Sequence, residues 1–381
     1  MFKLINLLAD EGHVYLFLFT LLYVFVFFDF LFTRKTRLFF SLISLILLIV
    51  ISGFRFEVGT DWEAYKDLFD NLELDWSFLI NVFNFDFGYV LFNALFRLFT
   101  DSYVLFLLVD SLVALGFIGW IVFKYSPLPN LSLFLFYNTY FISTYMGSNR
   151  RIIAIGFSLI SLIALIEMKK TRMYLNAFIA FLFHRTSFVI LIARYLPTKL
   201  PKLKQIIIGL IISFIIGLFQ IPFKFLGMIS DLFSQFDNIP LVSKLIFYSD
   251  IDNNKAVISD NLNTALLFTF STIKRSFLIS LFYYVIHKKG ANDPYNLRLF
   301  VIYWFGFMGY MVFNGTPIFQ ILFVYFSIVE VILVGRIVNL TNFRFKLSLY
   351  LVLLVYGVLQ LLSALTAYPE LYIPYKSAIH F

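Results

Sequence analysis

The sequence contains no cysteine and only four histidines in 381 residues. The first absence excludes disulfide bonds and catalysis by a thiol, and the second excludes a metal cage built mainly from histidine. Charged residues are also scarce, at 14% of the chain, whereas hydrophobic residues make up 61%. Apolar runs of about 15 to 20 residues recur, and a helix of that length crosses a hydrocarbon core of about 30 Å. The composition therefore predicts an all-α integral membrane protein.

The length leaves room for one polytopic domain, residues 1–381, with about 11–13 membrane segments and no separate soluble domain. Any chemistry must then take place on loops or helix ends at a membrane surface. The net charge of +8 is the usual surplus of cytoplasmic Lys and Arg in a membrane protein. We therefore expect no nucleic-acid partner.

Clusters of basic residues predict the orientation, because such clusters concentrate on the cytoplasmic side of a membrane. They lie at residues 34–37, 169–172, 199–204, 287–289 and 336–346. Placing them in the cytoplasm puts both termini outside, together with two acid-rich loops, residues 54–86 and 222–261. Three apolar pieces follow the first of these loops: residues 87–99, 103–123 and 128–145. If all three crossed the membrane, the later basic clusters would lie outside, so we expect that one of the three does not cross.

The first candidate site lies just after the second long apolar run. Arg55 and Asp61 flank Gly59, and a glycine before Thr-Asp allows the chain to turn with a positive φ. Asp61 can then cap a helix over residues 62–69. Alternatively, it acts with Glu57 as a carboxylate base or as a ligand of sugar hydroxyls. Arg55 can bind phosphate through its two-pronged guanidinium.

Two adjacent arginines, Arg150 and Arg151, stand near the start of an apolar helix predicted to run from Ser148 to Ile166. Positive charges oppose the dipole at a helix N-terminus unless an anion is bound there. Backbone amides and guanidinium groups together make a suitable cradle for a diphosphate. The alternative is that both side chains extend to lipid headgroups, as arginines at helix ends commonly do.

His184 and Arg185 interrupt the apolar residues 173–195, which lie between two basic clusters. Two short helices with these residues at an external turn would explain both clusters. Titratable groups in apolar segments are costly and tend to mark function, although a lone histidine can also bond a neighbouring helix. This arrangement predicts that all the candidate charges reach one external face: Arg55, Asp61, Arg150, Arg151, His184 and Arg185.

Other charged residues interrupt apolar runs, and we interpret them as bonds between helices or as charges that extend to the membrane surface: Arg97, Asp110, Lys274, Arg275 and Glu330. The C-terminal residues 368–381 are rich in Tyr and Pro, as is typical of an interfacial aromatic belt. Aromatic rings also stack on sugars, so Tyr375 is a candidate glycan contact.

Three segments together resemble the EpsG family of bacterial polysaccharide polymerases, relatives of the Wzy O-antigen polymerases. They read R-F-E-V-G-T-D-W-E-A-Y from Arg55, Y-M-G-S-N-R-R-I-I-A from Tyr145 and F-H-R-T-S-F-V-I-L-I from Phe183. The likeness extends over most of the chain. The family pattern transfers onto six positions: Arg55, Gly59, Asp61, Tyr65, Arg150 and His184.

Three positions depart from the family pattern. Arg151 stands where the family often has Gln. Asp86 replaces a Glu that usually precedes the Gly-Tyr of the next helix. Gln320 occupies a region where an Arg is expected. These departures concern the substrate rather than membership of the family.

The resemblance implies a fold related to the GT-C glycosyltransferases, with the active site on external loops of a membrane helix bundle. It implies an enzyme that joins oligosaccharide repeat units carried on undecaprenyl diphosphate, at the periplasmic or extracellular side of the bacterial cytoplasmic membrane. The growing glycan would pass from its diphosphate carrier to a sugar hydroxyl of a new lipid-linked unit. A chain-length regulator and a flippase are the implied membrane partners, and no metal or other cofactor is needed.

In that reaction the leaving diphosphate requires cations and the accepting hydroxyl requires a base. The predicted diphosphate ligands are the arginines: Arg55, Arg150, Arg151 and Arg185. Either His184 or Asp61 can be the base, and His184 is favoured because Asp61 has the alternative of capping a helix. The predicted glycan contacts are Glu57, Tyr65 and Tyr375.

Two other functions are consistent with the sequence. A flippase for the same lipid-linked glycan is expected to contain internal repeats and broken helices near the midplane. The sequence shows no repeat, and its strongest motifs lie at one membrane face. An O-antigen ligase uses the same donor and the same leaving group, so the residues leave that alternative open.

The predicted orientation can be tested in this cysteine-free chain. A cysteine introduced at Asn71, in the acid-rich external loop, should react with an impermeant maleimide in intact cells or spheroplasts. A cysteine at Thr171, in a basic cluster, should react only after the membrane is permeabilised. The reverse pattern of labelling would place the motifs in the cytoplasm.

Overall fold

The structure is a computed structural model, and it describes residues 7–8, 10–72, 85–234, 242–243, 246, 249, 262–290, 292–366 and 368–379. The described residues are predominantly helical, which confirms the predicted all-α class. In chain order the helices are α1 (His13–Leu31), α2 (Arg34–Gly53), α3 (Trp62–Asp70), α4 (Phe87–Arg97), α5 (Tyr103–Tyr125), α6 (Pro129–Phe136), α7 (Asn149–Ile166), α8 (Lys170–Phe183), α9 (Leu203–Leu218), α10 (Ile221–Phe233), α11 (Leu262–Val285), α12 (Pro294–Val312), α13 (Pro317–Ser327), α14 (Glu330–Asn339) and α15 (Phe343–Thr366). A π-helix (Tyr137–Met146) continues α6, and a 3-10 helix (Arg185–Tyr195) follows α8.

Seven helices in the described part of the chain are long and apolar enough to cross a membrane, which confirms a polytopic membrane protein. They are His13–Leu31, Arg34–Gly53, Tyr103–Tyr125, Asn149–Ile166, Ala265–Gly290, Ile318–Asn339 and Phe343–Leu365. The pair α9 and α10 forms an eighth candidate that bends by 44°. This number is smaller than the 11–13 membrane segments expected from the sequence.

Of the three apolar pieces, we interpret residues 87–99 as the one that does not cross the membrane. They form α4, whose 11 residues extend only about 16 Å, roughly half the thickness of a hydrocarbon core. By contrast, α5 has 23 residues, and α6 runs on into a π-helix of 10 residues. With α4 left out of the crossings, the basic clusters of unit 1 and the motifs fall at opposite ends of its helices.

Both predicted external loops contain helices. In residues 54–86, the helix expected over residues 62–69 is present as α3, and residues 73–84 lie outside the described part. In residues 222–261, α10 extends to Phe233, and the external position of this segment stays a prediction. Pro222 is accommodated in the first turn of α10, where a missing amide proton has no consequence. Most of the remainder of that loop lies outside the described residues.

The chain forms two compact units, unit 1 (Met1–Leu191 and Val331–Phe381) and unit 2 (Ile192–Glu330). In unit 2, α12 packs against α9, α11 and α13. Arg298 on α12 donates hydrogen bonds to Leu196 O at 2.6 Å and to Pro197 O at 3.0 Å. The grouping of all 381 residues into one polytopic domain stays a prediction.

The helix formed by α6 and its π continuation lies at the centre of unit 1. Every side chain from Pro129 to Met146 is buried except that of Ser143. A helix that is largely apolar on all sides packs in the interior of a bundle. Here α1, α2, α5 and α15 surround it. The central helix leads directly into the segment with the paired arginines.

Arginines from two segments donate to carbonyls at the C-terminus of α5, at what we call the basic end of unit 1. Among these hydrogen bonds are Arg34 Nη1 to Ser126 O (3.1 Å), Arg37 Nη1 to Pro127 O (3.3 Å) and Arg336 Nη1 to Tyr125 O (3.3 Å). The last carbonyls of a helix have no partner within it, so these bonds satisfy groups that water would otherwise have to reach. Residues that predict orientation by their charge therefore also terminate a helix.

The opposite end of unit 1, which we call the motif end, contains the C-terminus of α2 and the N-termini of α3, α4 and α7. The last turn of α8 also lies here, and α8 stops at Phe183. His184 has an extended backbone and separates α8 from the 3-10 helix, which confirms the predicted break between two short helices. The C-terminal segment (residues 368–379) completes this end through contacts described below.

Candidate functional site

Residues 54–61, which include Arg55 and Asp61, lie against the C-terminal segment. Three backbone hydrogen bonds join them: Ala378 N–H to Phe54 O (2.8 Å), Phe56 N–H to Lys376 O (3.0 Å) and Gly59 N–H to Leu371 O (3.0 Å). Lys376 Nζ also pairs with Glu57 Oε2 at 2.8 Å. A loop that leaves a membrane helix must satisfy its own amides and carbonyls, and the C-terminal segment supplies partners for three of them.

Gly59 brings this loop against the end of the central helix. Its φ is +115°, and a Cβ added at this position would lie only 2.1 Å from Met146 O. L-residues with a side chain rarely adopt this backbone conformation, and there is also no space for one. The predicted turn with positive φ is therefore confirmed.

Asp61 occupies the position before α3, as predicted, but its carboxylate does not cap the helix. The side chain accepts no hydrogen bond from the amides of α3, a helix that the structure describes in full. Burial raises the pKa of Asp61, and the nearby charges of Arg151 and Arg150 oppose that rise. The capping role, which favoured His184 over Asp61 as the base, is therefore wrong.

Asp86 joins two of the predicted diphosphate ligands. Its Oδ2 accepts a hydrogen bond from Arg150 Nη1 at 2.9 Å, and its Oδ1 accepts one from the Arg185 backbone N–H at 3.1 Å. Arg185 Nε lies 3.2 Å from the same Oδ1. Burial raises the pKa of Asp86, and both guanidinium groups oppose the rise. This carboxylate therefore connects the start of α7 with the residue that follows His184.

Arg151 lies near both candidate bases, as Arg150 does. It interacts electrostatically with Asp61 and with His184. Its Nε is buried and has no hydrogen-bond partner among the described residues. Arg151 therefore has a donor available for an anion, in a part of the site where solvent does not satisfy it.

His184 is only 8% exposed, and its Nδ1 lies 2.5 Å from Thr186 Oγ1. Burial and the positive charges of Arg151 and Arg150 lower the pKa of His184 to about 2. The imidazole is therefore neutral at physiological pH, as its apolar setting predicts. A group that binds a proton so weakly is better suited to hydrogen bonding than to general-base catalysis.

Tyr65 lies beneath the site. It is 2% exposed, and its hydroxyl is 2.7 Å from Ser148 Oγ. Burial raises the pKa of Tyr65 to about 12, so the hydroxyl stays protonated and can donate to Ser148. The ring offers no exposed face for stacking on a sugar, and the residue instead positions the segment that begins α7.

The other two predicted glycan contacts lie at the edge of the motif end. Glu57 is 45% exposed beside Lys376. Tyr375 is half-buried, and its hydroxyl donates to Ile51 O at 2.7 Å. Their role as glycan contacts stays a prediction. Tyr375 also lines a cavity of about 440 Å³ with mainly apolar walls: His13, Val14, Phe17, Val50, Ile51, Phe54 and Ser377.

Arg55 lies at the motif end but below its surface, with 2% exposure. Its Nη1 donates to Ser52 O at 2.6 Å, and its Nη2 donates to Asn149 Oδ1. The guanidinium also lies over the Tyr145 ring, 5.7 Å from the centroid. The expectation that Arg55 reaches the open face with the other charges is therefore wrong. It links the last turn of α2 to the first residue of α7.

Sequence reasoning missed two parts of this site. Asp86 stood out only as the replacement of a family Glu before a helix, and its pairing with Arg150 and Arg185 was not predicted. The contact between residues 54–59 and the C-terminal segment has no local signature either, because 319 positions separate Glu57 from Lys376.

The close approach at Gly59 generates a stability prediction. Gly59→Ala should lower the apparent melting temperature of the purified protein in detergent by roughly 5 °C or more, because the backbone must shift and adopt an unfavourable φ. Gly116→Ala is the matched control, since nothing lies within 4 Å of a Cβ added there, and alanine favours a helix. Equal melting temperatures for the two variants would contradict the described loop.

Comparison with known families confirms the resemblance seen in the sequence. The profile of the EpsG family matches residues 38–377, which include all three motif segments. Nothing matches among curated proteins or among solved structures. The family match supports a polysaccharide-polymerase type of role. By the extent of the match, the chain belongs to the EpsG family.

Proposed function

We propose that this protein is a polysaccharide polymerase that joins oligosaccharide repeat units carried on undecaprenyl diphosphate. The observation that carries the proposal is the juxtaposition at the motif end of a cationic helix start, a carboxylate and a neutral imidazole. These groups belong to Arg150 and Arg151, to Asp61 and to His184. Transfer of a glycan from a diphosphate to a hydroxyl requires such a combination.

The diphosphate would bind at the N-terminus of α7. Ser148 Oγ is engaged with Tyr65 and does not cap the helix, whose first residues are all described. The first amides of α7 and Arg151 Nε are thus oriented for an anion. Arg150 contributes positive charge while Asp86 keeps it in place. Developing negative charge on the leaving diphosphate would be stabilised most by Arg151.

The reaction breaks the bond between the anomeric carbon of the growing glycan and its diphosphate oxygen. A hydroxyl oxygen of the new lipid-linked unit forms the glycosidic bond to that carbon. The hydroxyl proton passes to the base, and undecaprenyl diphosphate leaves with the electron pair of the broken bond. No oxidation or reduction is involved.

Asp61 is the better candidate for the base. Burial raises its pKa, so it accepts a proton more readily than an ordinary aspartate. The pKa of His184 is lowered to about 2, and the imidazole is therefore a weak acceptor. In this assignment His184 orients the acceptor by hydrogen bonding, and Asp61 takes the proton.

The surroundings suit a lipid-linked substrate. Phe54 and Ser377 line the apolar cavity of about 440 Å³. Phe54 precedes the buried Arg55 in the chain, and Ser377 pairs with Arg55 from the C-terminal segment. An isoprenoid tail could occupy such a cavity while its charged head remains at the motif end. We place this end at the periplasmic or extracellular side, opposite the basic end. A flippase would deliver the units, and a chain-length regulator would act alongside.

The lipid-linked glycan of a bacterial strain lacking this protein tests the function. Single repeat units should accumulate on the carrier, and the wild-type protein should restore long polymer. Arg151→Ala should lower polymer formation by about 100-fold or more at equal membrane level, because a donor to the leaving group is lost. Arg344→Ala is the control, because Arg344 is exposed at the basic end.

Two other outcomes would contradict the polymerase assignment. Long polymer that stays on the carrier would indicate a ligase. Repeat units trapped on the cytoplasmic leaflet would indicate a flippase. Full activity of Arg151→Ala would leave the polymerase in place but remove the anion site at α7.

The pH dependence of purified enzyme separates the two candidate bases. With Asp61 as the base, kcat/KM should fall as the pH falls through the raised pKa of this carboxyl group. Asp61→Asn should lower kcat by about 100-fold or more and abolish this acidic limb. His184→Gln should weaken acceptor binding and keep the limb, because His184 is already neutral across that range. If only His184→Gln lost the acidic limb of the pH profile, His184 would be the base and Asp61 would orient the acceptor.

A further inference from the structure

A buried carboxylate on α5 lies outside the machinery described so far. Asp110 is completely buried, and neither of its oxygens has a hydrogen-bond partner among the described residues. It sits within a helix that is long and apolar enough to cross the membrane. An uncompensated carboxylate in such a place is very unfavourable, so a group that offsets its charge is expected.

Packing between α2 and α5 brings Arg55 to this carboxylate. A Cβ added to Gly53 would lie 2.9 Å from the Cα of Leu108, so the two helices touch at these residues. Because α2 and α5 are antiparallel, Arg55 lies two residues beyond this contact toward the motif end, and Asp110 lies two residues beyond it in the opposite direction. The Arg55 side chain turns back along α2 and donates to Ser52 O at 2.6 Å. This bond returns the guanidinium to the level of the contact between Gly53 and Leu108.

A second route of contacts leads to the same place. The Arg55 guanidinium lies over the ring of Tyr145, and Tyr145 OH donates to Ser111 Oγ at 2.6 Å. Ser111 is the neighbour of Asp110 in α5. Arg55 is also the charged side chain that interacts electrostatically with Asp110.

Hydrogen-bonding groups in this cluster are complementary. Arg55 Nε and Asn149 Nδ2 are buried donors without a partner among the described residues, and the two Asp110 oxygens are acceptors in the same condition. The hydroxyls of Tyr89 and Tyr103, which also interact electrostatically with Asp110, can donate or accept. Direct bonds or bonds through a buried water would satisfy them together.

We infer that Asp110 is the buried counter-ion of Arg55 and positions it for the bond to Asn149 at the start of α7. The ion pair sets the place of Arg150 and Arg151 without touching the substrate. Asp110 is thus a positioning residue for the anion site. The link to turnover rests on the proposed function, whereas the charge pairing does not.

Four variants test the pairing by thermal unfolding of the purified protein in detergent. Asp110→Asn and Arg55→Gln should each lower the apparent melting temperature by roughly 5 °C or more, because each leaves one buried charge uncompensated. The double variant should recover to within about 3 °C of the wild type, since no charge remains unpaired. Arg55→Lys should keep most of the stability and lose turnover, because it preserves the charge but not the fork that reaches Asn149.

Asp29→Asn is the matched control. Asp29 is equally buried, but its oxygens accept hydrogen bonds from Asn130 Nδ2 (2.8 Å) and Leu131 N–H (2.9 Å), near the basic end. Combined with Arg55→Gln, its effect should be additive. The inference would be overturned if Asp110→Asn and Arg55→Gln had additive effects on the melting temperature. It would also be overturned if Asp110→Asn left the melting temperature unchanged. If neither single variant folds, a folded double variant gives the same support, and an unfolded one refutes it.

Failure of the proposed function would appear differently. A wild-type protein without polymerase activity, but with non-additive stabilities in these variants, would remove the function and leave the ion pair. A wild-type protein with polymerase activity, but with variants whose effects on stability are additive, would keep the function and remove the ion pair.

Discussion

Hydrogen bonds from arginine side chains to backbone carbonyl oxygens connect helix ends at both ends of unit 1. Helix ends inside a membrane bundle leave carbonyls that water does not reach, and each unsatisfied group is costly. Arg34 and Arg336 bond to carbonyls at the basic end, whereas Arg55 and Arg97 do so at the motif end. The guanidinium suits this position because it remains charged and donates in several directions. Much of the positive charge in this chain therefore has a structural role before any functional one.

This use of arginine divides the predicted diphosphate ligands into distinct classes. Arg150 and Arg185 share the carboxylate of Asp86, and Arg55 is engaged with Ser52 O. A cation that is already paired gains less from binding an anion than one with a donor still available. Arginines that look equivalent in sequence thus differ in their capacity to bind an anion, and the proposed anion site centres on Arg151.

The central helix provides the rigid support for this arrangement. Its π continuation ends at Met146, where Gly59 makes a close approach and allows no side chain. Two residues later, the hydroxyl of Tyr65 forms a hydrogen bond with Ser148. π-helical segments are frequent at functional sites, and here the segment aims the start of α7 at the loop that carries Asp61. Sites built on buried helix ends are positioned more accurately than sites on free loops.

Local patterns of the sequence by themselves determined the all-α membrane class, the extents of α3 and α7, the break at His184 and the positive φ of Gly59. Each of these depends on residues close together in the chain, through hydrophobic length, helix-start residues or the conformational freedom of glycine. Only the tertiary structure decided that α4 is too short to cross, because its apolar composition resembles that of a span.

Only the tertiary structure, likewise, decided which charges are partners. Asp86 looked like an isolated acid, and Arg55 looked like an exposed ligand until the packing of α2, α5 and α7 buried it. The C-terminal segment reaches residues 54–59 from the far end of the chain. Counter-charges and backbone pairing across such separations depend on which helix ends meet. Composition and spacing fix the helices, but packing selects the neighbours of each buried polar group.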